Sequence, residues 1–198
     1  MASILVLYYS RGGSTAKLAS HVARGVESVP GCDAWLRTVP PVSAETAAVA
    51  DSVPPTGSPY VTLAELERCD GMAYGSPAYF GNMAASMKHF WDNHVDAWLG
   101  NALAGKPGAV FTASGSMHGG HEAAQLSMIV PLMHHGMLVV GLPYSETALN
   151  HTTGGGTPYG ASHVSGADGA RAVDETELAL ARALGARLAD TAERLARP

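Results

Sequence analysis

Five short apolar runs, at residues 4–9, 34–39, 71–74, 109–113 and 137–142, alternate with stretches of helical periodicity. The first and last runs are continuous rather than alternating, the pattern of strands covered on both faces. Leu18, Val22 and Val26 recur every four residues, and Met83, Met87 and Phe90–Trp91 do likewise. Residues 125–133 form a third such stretch. A fourth, 174–195, opens with Asp174 and Glu177 in capping-box spacing and carries Leu178, Ala181, Leu184, Leu188 and Leu195. Strand–helix alternation predicts a parallel sheet with right-handed crossovers. We therefore expect an α/β, doubly wound, five-stranded parallel sheet with helices on both faces. The 198 residues suit one domain, 1–198. Residues 40–60 (Pro, Ser, Ala, Thr) and 145–168 (Gly, His, Thr) fall outside the minimal unit and read as loop insertions. We find no internal repeat.

Composition narrows the function. A chain that is 46% hydrophobic and 15% charged can bury a sizeable core. Its net charge of -5, 12 basic against 17 acidic residues, argues against a nucleic-acid or anionic membrane-surface partner. No stretch is long enough to span a bilayer, and the N-terminus lacks the basic region of a signal peptide. Cys32 and Cys69 form no CxxC pattern and read as small core residues. The expectation is a cytoplasmic protein.

The joint after the first strand reads SRGGST: Ser10, Arg11, Gly12, Gly13, Ser14 and Thr15. It combines hydroxyls, glycines that let the backbone curl, and a helix N-terminus near Ser14. Free N–H groups at the positive end of a helix dipole make an anion site. The same residues also read as a plain βα turn with a serine N-cap. The loop is neither GxGxxG nor GxxxxGK[ST], which disfavours a dinucleotide pyrophosphate and a triphosphate. No GxSxG elbow is present. A single terminal phosphate remains, and FMN has one.

Two further strand-end loops would then hold the flavin ring. After the third strand come Pro77, Ala78, Tyr79, Phe80 and Gly81, aromatics and amides suited to a planar heterocycle, or to plugging the core. After the fourth come Ser114, Gly115, Ser116, Met117, His118, Gly119 and Gly120, whose glycines expose N–H groups toward a polar ring edge or form a surface loop. His118 and His121 invite a metal reading, but their Gly-Gly spacer preorganises poorly and no matching ligand pair is present, so no metal is expected. His134 and His135 precede Gly136, where a histidine favours a helix C-terminus.

In this order the three loops resemble the flavodoxin superfamily. More closely, the chain resembles the WrbA-type NAD(P)H:quinone oxidoreductases. The marks are VLYYS with its Gly-rich loop, GSPAYFGNM, Trp98, SGSMHGG, MHHGM at 133–137 and GGGTPYGAS at 154–162. The resemblance implies that Ser10 to Thr15 hold the FMN phosphate and that Ala78, Tyr79 and Phe80 contact the isoalloxazine. It implies that Ser114 to Gly120 line the ring's other polar edge. It also brings His134 to the flavin and makes Trp98 a wall of the substrate space beside a neighbouring subunit. It implies a homotetramer, a dimer of dimers. The implied reaction passes hydride from NADH or NADPH to flavin N5 and then two electrons to a quinone, ping-pong, with no catalytic side chain. The competing expectation is a one-electron flavodoxin-type carrier. This chain departs from the family pattern at Gly12, where many members are bulky or aromatic, and at Tyr79, where the best-known members carry a cation.

Overall fold

Strand β1 (Ala2–Tyr8) divides its side chains between two cores. Ile4, Val6 and Tyr8 pack with Leu18 and Val22 of α1 (Ser14–Glu27) and with Leu184 and Leu188 of α6 (Glu175–Ala196). Leu5 and Leu7 pack on the opposite face, with Met87, Phe90 and Trp91 of α3 (Ala85–Asp92) and Met128 and Leu132 of α5 (His121–His134). Successive strand residues point to opposite faces, so a continuous apolar run is what two covering layers require. The computed structural model describes residues 1–42, 54 and 56–196. Most of the insertion expected at 40–60 lies outside the described residues.

The sheet is parallel throughout, in the order β2-β1-β3-β4-β5, with β2 (Cys32–Thr38) at one edge and β3 (Gly71–Pro77) and β4 (Pro107–Ser114) at its centre. The short helices α2 (Leu63–Arg68) and α4 (Val95–Leu99) complete the α3/α5 side. The chain steps from β1 to β2 on one side and returns to β3 on the other. The crevice between the carboxyl ends of β1 and β3 is thus the topological switch point, where ligands bind in such sheets.

The fifth position of the sheet differs from the expectation of one strand within 137–142. It is split. Strand β5 is only Leu138–Val139 and pairs with Pro107 and Gly108. The chain then leaves the sheet, makes a 3₁₀ turn at Thr147–Asn150, and returns as β6 (Gly160–Val164), which pairs with Val110 through Ser114. The region read as a loop over 145–168 therefore contains a strand. Its sequence, GASHV, has no apolar run because close approach decides it. A Cβ at Gly160 would lie 1.9 Å from the Val110 carbonyl oxygen.

Close approach also joins α1 to α6. A Cβ at Gly25 would sit 1.9 Å from Arg182 O, and one at Gly185 would sit 1.9 Å from Val22 O. The two backbones touch through reciprocal glycines, which fixes the helix that begins at the switch point. Among the described residues no helix is long and apolar enough to cross a membrane.

Candidate functional site

The loops after β1, β3 and β4 converge on one cleft of about 270 Å³. From the first loop come Ser10, Arg11, Gly12, Ser14 and Thr15; from the second Pro77, Ala78 and Tyr79; from the third Ser114 and Gly115. Gly13, between Gly12 and α1, has φ 89° and donates its N–H to Ser10 Oγ at 3.1 Å. This left-handed step favours glycine. No side chain caps α1, and its first turn has no acidic residue. Its leading N–H groups thus lack intrahelical acceptors at the positive end of the dipole. Cβ atoms built on Gly12 and Gly13 meet nothing within 4 Å, so the loop encloses open space. Among the described residues the cleft lining contains no carboxylate. This donor set fits the phosphate of FMN.

Beyond Tyr79 the chain turns back on itself. Tyr79 N–H donates to Asn82 O at 2.8 Å and Asn82 N–H to Tyr79 O at 3.0 Å. Phe80 (φ 53°) and Gly81 (φ 75°) are both left-handed, as in a type I′ turn. A bulky residue in this region is strained by about 1–2 kcal/mol, and here the turn leaves Phe80 fully exposed, at 108%. Phe80 and Gly81 do not line the cleft itself. The third loop curls over: Gly119 N–H donates to Ser116 O at 2.9 Å and Ser114 Oγ donates to the same oxygen at 2.9 Å. A Cβ on Gly120, the residue capping α5, would approach Gly81 Cα to 3.0 Å, so the second and third loops abut. Met117 and His118 project outward, whereas His121 is buried, with Nε2 3.0 Å from both Ser114 Oγ and His163 O.

Two lining residues escape sequence reasoning. Ser165 and Gly169 reach the cleft from the turn after β6. Ser165 donates its N–H to Ser114 O at 2.8 Å and its hydroxyl to the same oxygen at 3.1 Å. The turn-forming SGADG sequence is the available signal, but its position depends on the unforeseen strand.

Behind this wall lies a buried polar hub. Glu177 and His163 have fully buried side chains, with His163 Nδ1 2.8 Å from Glu177 Oε2 and Nε2 3.1 Å from Arg171 O. Glu177 also accepts from Arg171 Nη1 at 2.9 Å and from the N–H groups of Gly155 at 2.7 Å, Asp174 at 3.0 Å and Val164 at 3.2 Å. Burial pushes its carboxyl upward, but the hydrogen bonds from His163, Arg171, Asp174 and Gly155 outweigh it and bring the pKa to about 2. A Cβ on Gly155 would lie 1.9 Å from Ser162 O, and one on Gly154 would lie 2.9 Å from Glu177 Oε1. Gly154 and Gly155 of the GGGTPYG stretch are therefore packing requirements of this hub, whereas Gly160 serves the approach to β4.

Trp98 and His134 lie elsewhere. Trp98 Nε1–H donates to His134 O at 2.9 Å, and both line a groove of about 470 Å³ with Trp91, Val95, Val130 and His135. This groove shares no lining residue with the cleft. Helix α5 runs antiparallel to β4, so His134 reaches the entry to that strand, where Gly105 N–H donates to Gly136 O at 2.9 Å. At about 3.3 Å per residue, β4 separates the two ends by about 23 Å. Within one chain His134 therefore does not meet the Ser10–Thr15 loop. Among the described residues, the buried Trp91 Nε1 and His135 Nδ1 in this groove have no hydrogen-bond partner.

Comparison with known proteins agrees with this geometry. Residues 2–152 match the family model described as NADPH-dependent FMN reductase. A protein of Solidesulfovibrio magneticus named NAD(P)H dehydrogenase (quinone) is 42% identical over 201 residues, covering 98% of each chain. One of Syntrophobacter fumaroxidans with the same name is 42% identical over 202 residues, again covering 98% of each. Among solved structures, a flavodoxin, WrbA-like protein from Agrobacterium tumefaciens aligns with TM-score 0.68 at 22% identity, over 98% of this chain and 99% of that one. An archaeal flavodoxin aligns with TM-score 0.63 at 20% identity, over 98% and 99%. These structural likenesses show the flavodoxin-like fold. The sequence matches go further: the chain belongs to the NADPH-dependent FMN reductase family, among its NAD(P)H dehydrogenase (quinone) members.

Proposed function

We propose that this protein is an FMN-dependent NAD(P)H:quinone oxidoreductase. The observation that carries the reading is the carboxylate-free cleft at the switch point, built from three strand-end loops around the uncapped start of α1. The first-turn N–H groups and the hydroxyls of Ser10, Ser14 and Thr15 would hold the phosphate. The Pro77–Tyr79 and Ser114–Gly115 backbones would flank the ring, and Tyr79 and Phe80 would shield its rim. Bound there, FMN supplies two-electron transfer from a nicotinamide nucleotide to a quinone. The chain needs no acid, base or nucleophile of its own: its part is to orient the ring, support charge with backbone N–H groups and leave one face open. Donor and acceptor would occupy that face in turn, which makes the kinetics ping-pong.

The protein would work as a cytoplasmic homotetramer. The free state of Cys32 and Cys69 supports a reducing compartment. An exposed apolar stripe along α5, Leu126, Val130 and Met133, beside exposed Trp98 and Leu99, supports association between copies. The orphaned Trp91 and His135 nitrogens lie in the same region. In such an assembly Trp98 and His134 would join a neighbour's cleft.

The test is anaerobic stopped-flow mixing of the FMN-loaded protein with NADH or NADPH, then with benzoquinone. Fast, complete bleaching of the flavin absorbance and fast recovery on quinone addition are expected, with parallel initial-rate lines. Intersecting lines would remove the ping-pong order. Retention of FMN without bleaching by either nucleotide would point to a one-electron carrier, and failure to retain FMN would overturn the cleft assignment.

A further inference from the structure

Beside the cleft lies a second cavity of about 650 Å³ that shares Arg11 and Tyr79 with it. Tyr9 and Ser86 help line this second space, and Val42 N–H donates to Ser86 Oγ at 3.1 Å along it. Among the described residues Arg11 is the one charged residue in either lining. It is exposed at the rim, whereas Thr15, further along the same loop, is buried. Among the described residues no carboxylate pairs with Arg11, although Arg37, Arg171, Arg182 and Arg194 each have one. A solvent-facing guanidinium on the border of two cavities whose described lining residues include no carboxylate offers a rigid fork of N–H donors matched to a phosphate. The cofactor phosphate already has the amides and hydroxyls deeper in the loop. A second anion therefore has its place at the rim.

Resting on the oxidoreductase reading above, we propose that Arg11 binds a phosphate of the nicotinamide nucleotide, whose adenosine half occupies the adjoining cavity between Tyr9 and Tyr79. The two aromatic rings suit a base or ribose, and the guanidinium suits either the 2′-phosphate of NADPH or the pyrophosphate common to both donors. In each case Arg11 sets donor affinity.

The test compares wild type, R11Q and R11K, all loaded with FMN. Calorimetry measures binding of ADP and of adenosine 2′,5′-bisphosphate, and steady-state kinetics separates KM from kcat for NADH and NADPH. R11Q should weaken fragment binding and raise donor KM roughly tenfold, the scale of one charge-assisted contact at an exposed site. The loss should fall on KM rather than on kcat, and R11K should recover part of it. Loss confined to the bisphosphate and NADPH assigns the 2′-phosphate; loss shared by ADP and NADH assigns the pyrophosphate. Unchanged fragment affinity and KM would overturn the proposal. So would loss of FMN from R11Q, which would assign Arg11 to the cofactor. If neither nucleotide bleaches the wild-type flavin, the oxidoreductase reading fails, while the calorimetric arm still decides whether Arg11 binds the fragment.

Discussion

Replacing Glu177 by Gln tests how much the buried hub contributes to the fold. Glutamine keeps the volume but turns one of two acceptor oxygens into an N–H₂ donor. Whichever way the amide points, a donor then faces a donor: His163 Nδ1 and Asp174 N–H on one side, Arg171, Gly155 and Val164 on the other. The magnitude follows from the carboxyl's pKa, about 2 in the folded protein against an ordinary 4.5. At about 1.4 kcal/mol per pH unit, that difference corresponds to about 3 kcal/mol of folding stability at neutral pH. Because the folded value lies below the unfolded one, the contribution is complete above pH 4.5 and disappears as pH falls towards 2. Removing one partner of a buried ion pair gives a similar figure, about 3–5 kcal/mol. Urea denaturation followed by far-UV circular dichroism, run from pH 7 down to pH 2.5, measures it. Wild type should exceed E177Q by about 3 kcal/mol at pH 7, equivalent to about 6–12 °C in Tm, and the two should converge at the acid end. A difference below about 1 kcal/mol at pH 7, or one that stays constant down to pH 3, would refute the reasoning.

Gly185→Ala should cost about 1–3 kcal/mol in the same denaturation assay, because its Cβ would lie 1.9 Å from Val22 O and force α1 and α6 apart. Ser14→Asp should act in opposite directions on two readouts. A carboxylate in the first turn of α1 interacts well with the helix dipole, so the FMN-free Tm should hold or rise; flavin-fluorescence titration should show FMN bound at least about tenfold more weakly. Burial pushes the Cys69 thiol up to about 11, so a disulfide reagent should reach Cys69 only in guanidinium, whereas half-buried Cys32 should react first in the native protein.

The elements legible in the sequence were those specified locally. The apolar runs at 4–9, 71–74 and 109–113 overlap β1, β3 and β4, because strands covered on both faces write their burial directly into composition. The glycine-rich strand–helix joint was legible for a similar reason: the SRGGST composition marks a turn, and the structure places the left-handed Gly13 just before α1. Strand β6 was not legible, since Gly160 and Ala161 serve close approach to β4 rather than apolar burial. The Asp174–Glu177 spacing announced a capping box, and Glu177 N–H does donate to Asp174 Oδ1 at 2.9 Å. The same carboxylate's hold on Gly155, 22 residues away, had no local signature. Trp98 and His134 carried a family resemblance, but only the direction of α5 reveals that one chain keeps them away from its own Ser10–Thr15 loop.

The split fifth strand explains why a hub is needed where it stands. In a doubly wound sheet each strand delivers its following loop to the carboxyl end, where the ligand binds. Strand β5 is two residues long and stops at the far end, beside Pro107 and Gly108, so it delivers nothing to the cleft. By returning as β6 the chain completes the same edge of β4 and ends at Ser114, which brings Ser165 and Gly169 into the wall. That strand is only five residues long and lies at the sheet's edge, with ladder bonds to one neighbour. Short edge strands are marginal by themselves. Glu177 compensates by tying Val164, Gly155 and Arg171 to the first turn of α6, the longest helix of the chain. Arg171 in turn binds Val164 O at 2.6 Å and, through its N–H, Ser165 O at 2.9 Å. The wall of the cleft is thus held from behind by charge and from below by the α1–α6 glycine crossing, so that none of the described residues lining its front face is a carboxylate that would repel an anionic cofactor.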